Sequence, residues 1–206
     1  MFDFLYFYAI MGVNIPIWRN FMNLNENVNT VIDKCEEINK NLNNVTCCFS
    51  GHRAQSLPWK VNESSPRCQI MKEKLKEEII KAIKRGYVNF ICGMALGFDV
   101  ICAETVIELK KEYPEIKIIG ALPCRTQDKL WQEKDKKRYR EILEKLDKIR
   151  CIYDEYIGAE CMLERNRYMV NNSSLLIALF NGKPGGTKST IEYAKKQNLR
   201  IIVITQ

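Results

Sequence analysis

A chain of 206 residues, 46% hydrophobic and 28% charged, has the size for one domain with a substantial core and an ordinary soluble composition; no repeats or low-complexity linkers interrupt it. A net charge of +7 suits an anionic partner (nucleotide, nucleic acid or acidic membrane surface) without choosing among them. The single histidine, His52, excludes a multi-histidine zinc site within one chain, and nine scattered cysteines without a C-x-x-C pair read as reduced thiols in a cytoplasm.

Residues 1–44 read as an extension. Met1–Ile17 is apolar and aromatic, but Asp3 and Pro16 interrupt it, and it falls short of the roughly 20 residues that span a bilayer. With no basic leader and no cleavage signature, neither a transmembrane segment nor a signal peptide is expected. Leu24, Val28, Val31, Ile32, Cys35, Ile38 and Leu42 recur at helical spacing and predict an amphipathic helix. The expected role is an appendage on the core or a dimer contact, with a membrane-surface anchor as the alternative.

From Val45 onward strands and helices alternate. Apolar runs predict strands at Val45–Ser50, Tyr87–Cys92, Ile116–Leu122, Ile149–Tyr153, Ser174–Phe180 and Arg200–Thr205. Helical spacing predicts helices at Arg67–Arg85, Val100–Tyr113, Asp128–Lys148, Ala159–Asn171 and Ser189–Gln197, with Gly86 and Pro114 as stops. Such alternation implies right-handed crossovers and an α/β fold: a Rossmann-like three-layer sandwich with a mostly parallel central sheet over residues 45–206, plus the N-terminal helical extension.

Loops that leave parallel strands at their carboxyl ends share one edge, where such folds bind ligands. Four of these carry residues suited to a phosphorylated molecule. In Gly51-His52-Arg53, glycine admits a tight turn and Arg53 offers a planar fork of donors. Gly93-Met94-Ala95-Leu96-Gly97-Phe98-Asp99 spaces two glycines across a strand-to-helix turn, with Asp99 either capping the helix or reading ribose hydroxyls. Pro123-Cys124-Arg125-Thr126 adds a cation; its Cys124 reads as a small core residue, with a reactive nucleophile as the alternative. Pro184-Gly185-Gly186-Thr187-Lys188-Ser189 precedes a helix with two glycines, hydroxyls and a lysine, the composition of a phosphate cradle. Glu192 follows one turn later. On the preceding helix, spacing leaves open whether Arg165 or Arg167 reaches the pocket.

Cys47–Arg53, Phe90–Asp99, Arg165–Val170 and Asn181–Thr187 together resemble the YpsA/YoqJ-like family of the SLOG superfamily, Rossmann-like domains that include the LOG phosphoribohydrolases and the DNA-processing protein DprA. The match runs from Thr46 to the C-terminus. Ala54 stands where the family commonly has proline. Pro184, Gly185, Gly186, Ser189 and Glu192 align with the LOG motif P-G-G-x-G-T-x-x-E, while Lys188 replaces its third glycine.

The loops suit a phosphorylated ligand, and the resemblance implies that it is a nucleotide-derived, NAD- or ADP-ribose-type signalling molecule, held by a sensor or sequestering protein in settings that include phage–bacterium conflict. The expected ligand-binding residues are Gly51, His52, Arg53, Gly93, Met94, Ala95, Gly97, Asp99, Pro123, Arg125, Arg165, Gly185, Gly186, Thr187, Lys188 and Ser189. One alternative is LOG-like N-glycosidic hydrolysis of a nucleotide, with Glu192 stabilising the developing oxocarbenium and Arg165 orienting the phosphate. Another is DprA-like binding of single-stranded DNA, although Asp128–Arg150, with nine Lys/Arg against six Asp/Glu, reads as a mixed solvated helix. No metal and no cofactor is expected; a cytoplasmic homodimer or higher homo-oligomer is.

Overall fold

The computed structural model describes residues 28–205. The apolar segment Met1–Ile17 and the start of the predicted helix at Leu24 lie outside them. The chain divides after Lys40, and the unit from Asn41 onward is treated by itself. Helix α1 (Val28–Asn44) leads into it. Six strands follow, β1 (Thr46–Gly51), β2 (Asn89–Cys92), β3 (Lys117–Cys124), β4 (Lys148–Tyr153), β5 (Leu175–Leu179) and β6 (Arg200–Ile204). They alternate with α2 (Pro66–Lys84), α3 (Phe98–Leu109), α4 (Glu133–Leu143), α5 (Ala159–Asn171) and α6 (Gly186–Lys196).

All strand pairings are parallel, in the order β4-β3-β2-β1-β5-β6. The central strand β1 sets Cys48 opposite Ile91 on one side and Leu176 on the other. Side chains alternate between two cores as the strand period of two requires. Cys47, Phe49, Phe90, Ile118, Leu175 and Ile177 meet α2, α3 and α4 on one face. Cys48, Ile91, Ala121, Leu176 and Ala178 meet α5 and α6 on the other. Large side chains such as Phe49, Phe90, Leu75 and Ile79 are fully buried, each contributing about 1.5–3 kcal/mol.

The helices begin and end for local reasons. Ser65 caps α2 by accepting the Cys68 N–H at 3.3 Å, Pro66 fits its first position, and Gly86 (φ +92°) ends it. Its inward stripe is Cys68, Met71, Leu75, Ile79 and Ala82. Helix α3 is apolar for most of its length and buried, so it lies against the middle of the sheet.

Helix α4 is much shorter than the predicted Asp128–Lys148. Its charge pattern would continue, but Asp147 is taken by another element: its carboxylate accepts the Ile118 N–H at 2.8 Å and pairs with Lys110, while its own N–H bonds to Ile118 O at 2.9 Å. Leu146 fills the space a side chain at Gly120 would need. A tertiary contact ends this helix, which the local sequence does not announce.

From β1 the chain adds β2, β3 and β4 outward in one direction. It then crosses back to lay β5 on the other side of β1, with β6 beyond. The order therefore reverses between β1 and β5, and the crevice outside their carboxyl ends is where a parallel sheet has room for a ligand. Among the described residues, no helix is long and apolar enough to cross a membrane.

Candidate functional site

The first wall comes from the loops after β1 and β2, locked together by backbone contact. The Phe98 N–H donates to His52 O at 3.3 Å. A Cβ at Gly51 would strike the Phe98 ring, and one at Gly97 would lie 2.6 Å from Ala54 N and 2.8 Å from His52 O. Gly97, at φ +105°, caps α3 without a side chain. Asp99 is therefore not the cap; it sits inside the first turn, with Oδ2 accepting the Ala95 N–H at 3.3 Å.

Behind this wall lies a buried ion pair. Arg165 on α5 and Asp99 on α3 are 5% and 7% exposed, with Nη1 3.7 Å from Oδ2. Arg165 Nη1 also donates to Gly93 O, and its guanidinium occupies the space a side chain at Gly93 would fill. Burial raises the Asp99 pKa, opposed by Arg165, and burial likewise lowers that of Arg165, opposed by Asp99. Exposed Arg53 stands close enough for its charge to act on both groups. Between Gly93 and Ala95, buried Met94 adopts φ +59°, an uncommon geometry for a residue with a side chain, and its carbonyl accepts from Gln127 Nε2.

The second wall is the loop after β5 and the start of α6. Asn181 N–H donates to His52 Nε2 at 3.3 Å, and His52 stacks on Phe180 with centroids 6.1 Å apart. Burial lowers the His52 pKa, opposed by the Asn181 bond and reinforced by Lys183. Gly185 (φ +145°) caps α6 without a side chain, and nothing lies within 4 Å of a Cβ built on Gly185 or Gly186. The first bond of the α6 ladder runs from Ser189 N–H to Gly185 O at 3.1 Å, so the amides of Gly186, Thr187 and Lys188 precede it. Lys188 takes a helical backbone, and its departure from a glycine pattern brings no positive φ.

The structure thus links Gly51, His52, Arg53, Gly93, Met94, Ala95, Gly97, Asp99 and Arg165 by direct contact or close charge, and joins them to the α6 start. Two bridges make that join: His52 to Asn181, and Arg165 through Asn166 to Thr190, with Arg165 Nε donating to Asn166 Oδ1 (2.8 Å) and Asn166 Nδ2 donating to Thr190 Oγ1 (3.1 Å). Arg125 is placed elsewhere. It follows β3, which holds buried Pro123 and lies two strands from β1 and so roughly 10 Å away across the sheet, and its Nε donates to Asp154 Oδ1 at 2.7 Å. Glu192 is exposed, 3.8 Å from Lys188, and lines a groove of about 200 Å³ between α5 and α6 with Asn166, Arg167 and Tyr193. Arg167 pairs with Glu160 and Glu164 at the surface, so it is Arg165 that turns inward. Gln127 and Thr190 were given no ligand role from sequence, and Asn166 and Asn181 appeared only as members of the Arg165–Val170 and Asn181–Thr187 motifs.

Residues 47–205 match the model of the YspA SLOG family. A UPF0398 protein of Brevibacillus brevis is 32% identical over 139 residues, covering 67% of this chain and 73% of that protein. The SPbeta prophage-derived protein YoqJ of Bacillus subtilis is 35% identical over 143 residues, covering 61% of this chain and 83% of its own length. Among solved structures, the DNA processing protein A of Helicobacter pylori, described in a single-stranded DNA binding mode, superposes with a TM-score of 0.55 at 21% identity over 79% of this chain. The Streptococcus pneumoniae protein DprA gives 0.56 at 14% identity, again over 79%. The chain spans only 66% and 50% of those two proteins, and at these identities they share its fold. With the family model covering the chain from Cys47 in β1 past the end of β6, the chain belongs to the YspA SLOG family.

Proposed function

We propose that this protein binds a phosphorylated, nucleotide-derived small molecule at the carboxyl edge of its sheet, between the loops after β1 and β5, and acts by sensing or sequestering it. The observation that carries this is the start of α6: a glycine cap at φ +145°, no side chain filling the cap, and open space beside Gly185 and Gly186. Amides ahead of the ladder and the positive end of the helix dipole together suit a phosphate. Arg53 adds an exposed cation at the mouth, and the stacked His52–Phe180 pair offers a flat wall to a base. The reversal of strand order between β1 and β5 favours this edge, and the family membership with the likeness to a single-stranded-DNA-binding protein favours a nucleotide-type ligand. An ADP-ribose-type ligand, with two phosphates and two sugars, is the finer proposal. Turnover is not part of it, because Glu192 is exposed and ion-paired.

Native mass spectrometry of protein taken directly from cells, followed by calorimetry with AMP, ADP-ribose and NAD, tests this. A copurified nucleotide and one-to-one binding at micromolar affinity are expected. Absence of nucleotide binding up to about 1 mM, with salt-sensitive retardation of single-stranded DNA instead, would move the function to nucleic acid. Free base released at turnover, and lost in Glu192→Gln, would make the protein a hydrolase.

A further inference from the structure

We infer that Asn166 and Thr190 are positioning residues that tie Arg165 to the first turn of α6, so that the two halves of the phosphate site are aimed as one unit. The bonds form an unbroken series. Arg165 Nη1 donates to Gly93 O, and Arg165 Nε donates to Asn166 Oδ1 at 2.8 Å. Asn166 Nδ2 donates to Thr190 Oγ1 at 3.1 Å, and Thr190 Oγ1 donates to Gly186 O at 2.9 Å.

Chemistry fixes its direction. Arginine has donors only, so Asn166 must turn its oxygen toward Arg165 and its amide nitrogen toward Thr190. The Thr190 hydroxyl then accepts from Asn166 and has its own proton left for Gly186 O. Arg165 and Thr190 are 5% and 4% exposed, while Asn166 between them is half-buried and borders the groove between α5 and α6.

The two ends of the series are what give it a role at the site. Peptide groups are planar, so fixing a carbonyl fixes the N–H of the next residue. Thr190 holds Gly186 O and thereby aims the Thr187 N–H; Arg165 holds Gly93 O and thereby aims the Met94 N–H. One is an amide of the α6 start and the other belongs to the opposite wall. An anion that draws Arg165 forward therefore disturbs both walls. Ser189 provides an internal comparison: its hydroxyl makes the same kind of back-bond, to Gly185 O at 3.3 Å, with no further partner toward Arg165.

Resting on the phosphate site proposed above, the test uses amide NMR of the full chain in two arms. Without ligand, Thr190→Val and Asn166→Asp, both close in shape to the native residues, are expected to shift the Met94 and Ala95 amides, while Ser189→Ala leaves those two unchanged. With inorganic pyrophosphate as probe, Thr190→Val is expected to weaken binding roughly tenfold, and Thr190→Ser, which keeps the hydroxyl, by less than about twofold. Unchanged Met94 and Ala95 amides in both variants, with native circular dichroism, would overturn the coupling, as would pyrophosphate affinity unmoved by Thr190→Val. If the wild type binds no pyrophosphate, the phosphate site itself fails, and the ligand-free arm still decides whether the series couples the two walls.

Discussion

Replacing Asp99 by asparagine is the perturbation whose size the structure defines best. The substitution keeps the shape and leaves an oxygen to accept the Ala95 N–H, but it removes the charge facing Arg165. At 3.7 Å the attraction is about 4.5 kcal/mol for an effective dielectric constant near 20. Burial opposes it: both pKa values move toward the neutral forms, so the pair does not fully recover its lost hydration. Removing one partner is nevertheless costly, because Arg165 cannot shed its proton and stays charged with 5% exposure. With the Ala95 bond retained, a loss of about 3 kcal/mol is expected. For a domain of this size that lowers the melting temperature by roughly 6–12 °C. Urea unfolding followed by circular dichroism, in low and about 1 M salt, measures it. A loss below about 1 kcal/mol, or one abolished by salt as at an exposed pair, would show that Arg165 is not held in the interior.

Three further outcomes are expected. Gly185→Ala should destabilise the protein by about 1–3 kcal/mol and weaken phosphate binding, through φ +145° alone since no atom obstructs the new methyl; an unchanged melting temperature would count against the assigned cap. His52 should titrate below 6.5 by NMR, because its folded pKa is depressed by burial. Its contribution is then full above about pH 6.5 and lost as pH falls through the folded value, so His52→Gln should flatten that part of the stability profile. Arg138 holds Glu104 with bonds of 2.7 and 2.6 Å and Glu63 with bonds of 2.6 and 3.1 Å, tying α3 and the loop before α2 to α4. Arg138→Met should cost about 1–2 kcal/mol, less in high salt, with the side chain 35% exposed; no loss in low salt would reduce this network to ornament.

Much of the fold was legible because strands and helices write their periods locally. Ala159–Asn171 was bounded as observed, and the apolar runs fell on all six strands. One error has a tertiary cause and one a local cause. Asp147 leaves the α4 pattern to serve Ile118, and Gly186, read as loop, is the first residue of α6 because an open helix start needs no side-chain cap. The candidate site was legible as a set of loops, since position at a carboxyl edge follows from parallel topology. Which charges face inward was not. Arg165 and Arg167 differ by two positions, and only packing against Gly93 and Asp99, against pairing with Glu160 and Glu164, separates them. Arg125 looked equivalent to Arg53, but the order of strands sets it toward β4 and Asp154. Asn166 and Thr190 were invisible as a pair because their contact joins two helices across 24 residues.

The most direct measurement is the electron density of crystals grown with ADP-ribose. A phosphate at about 3 Å from the Gly186 and Thr187 amides, with Arg53 turned toward it, is the predicted result. Ligand lodged instead in the groove beside Tyr193 or against α4, with the start of α6 left bare, would contradict it.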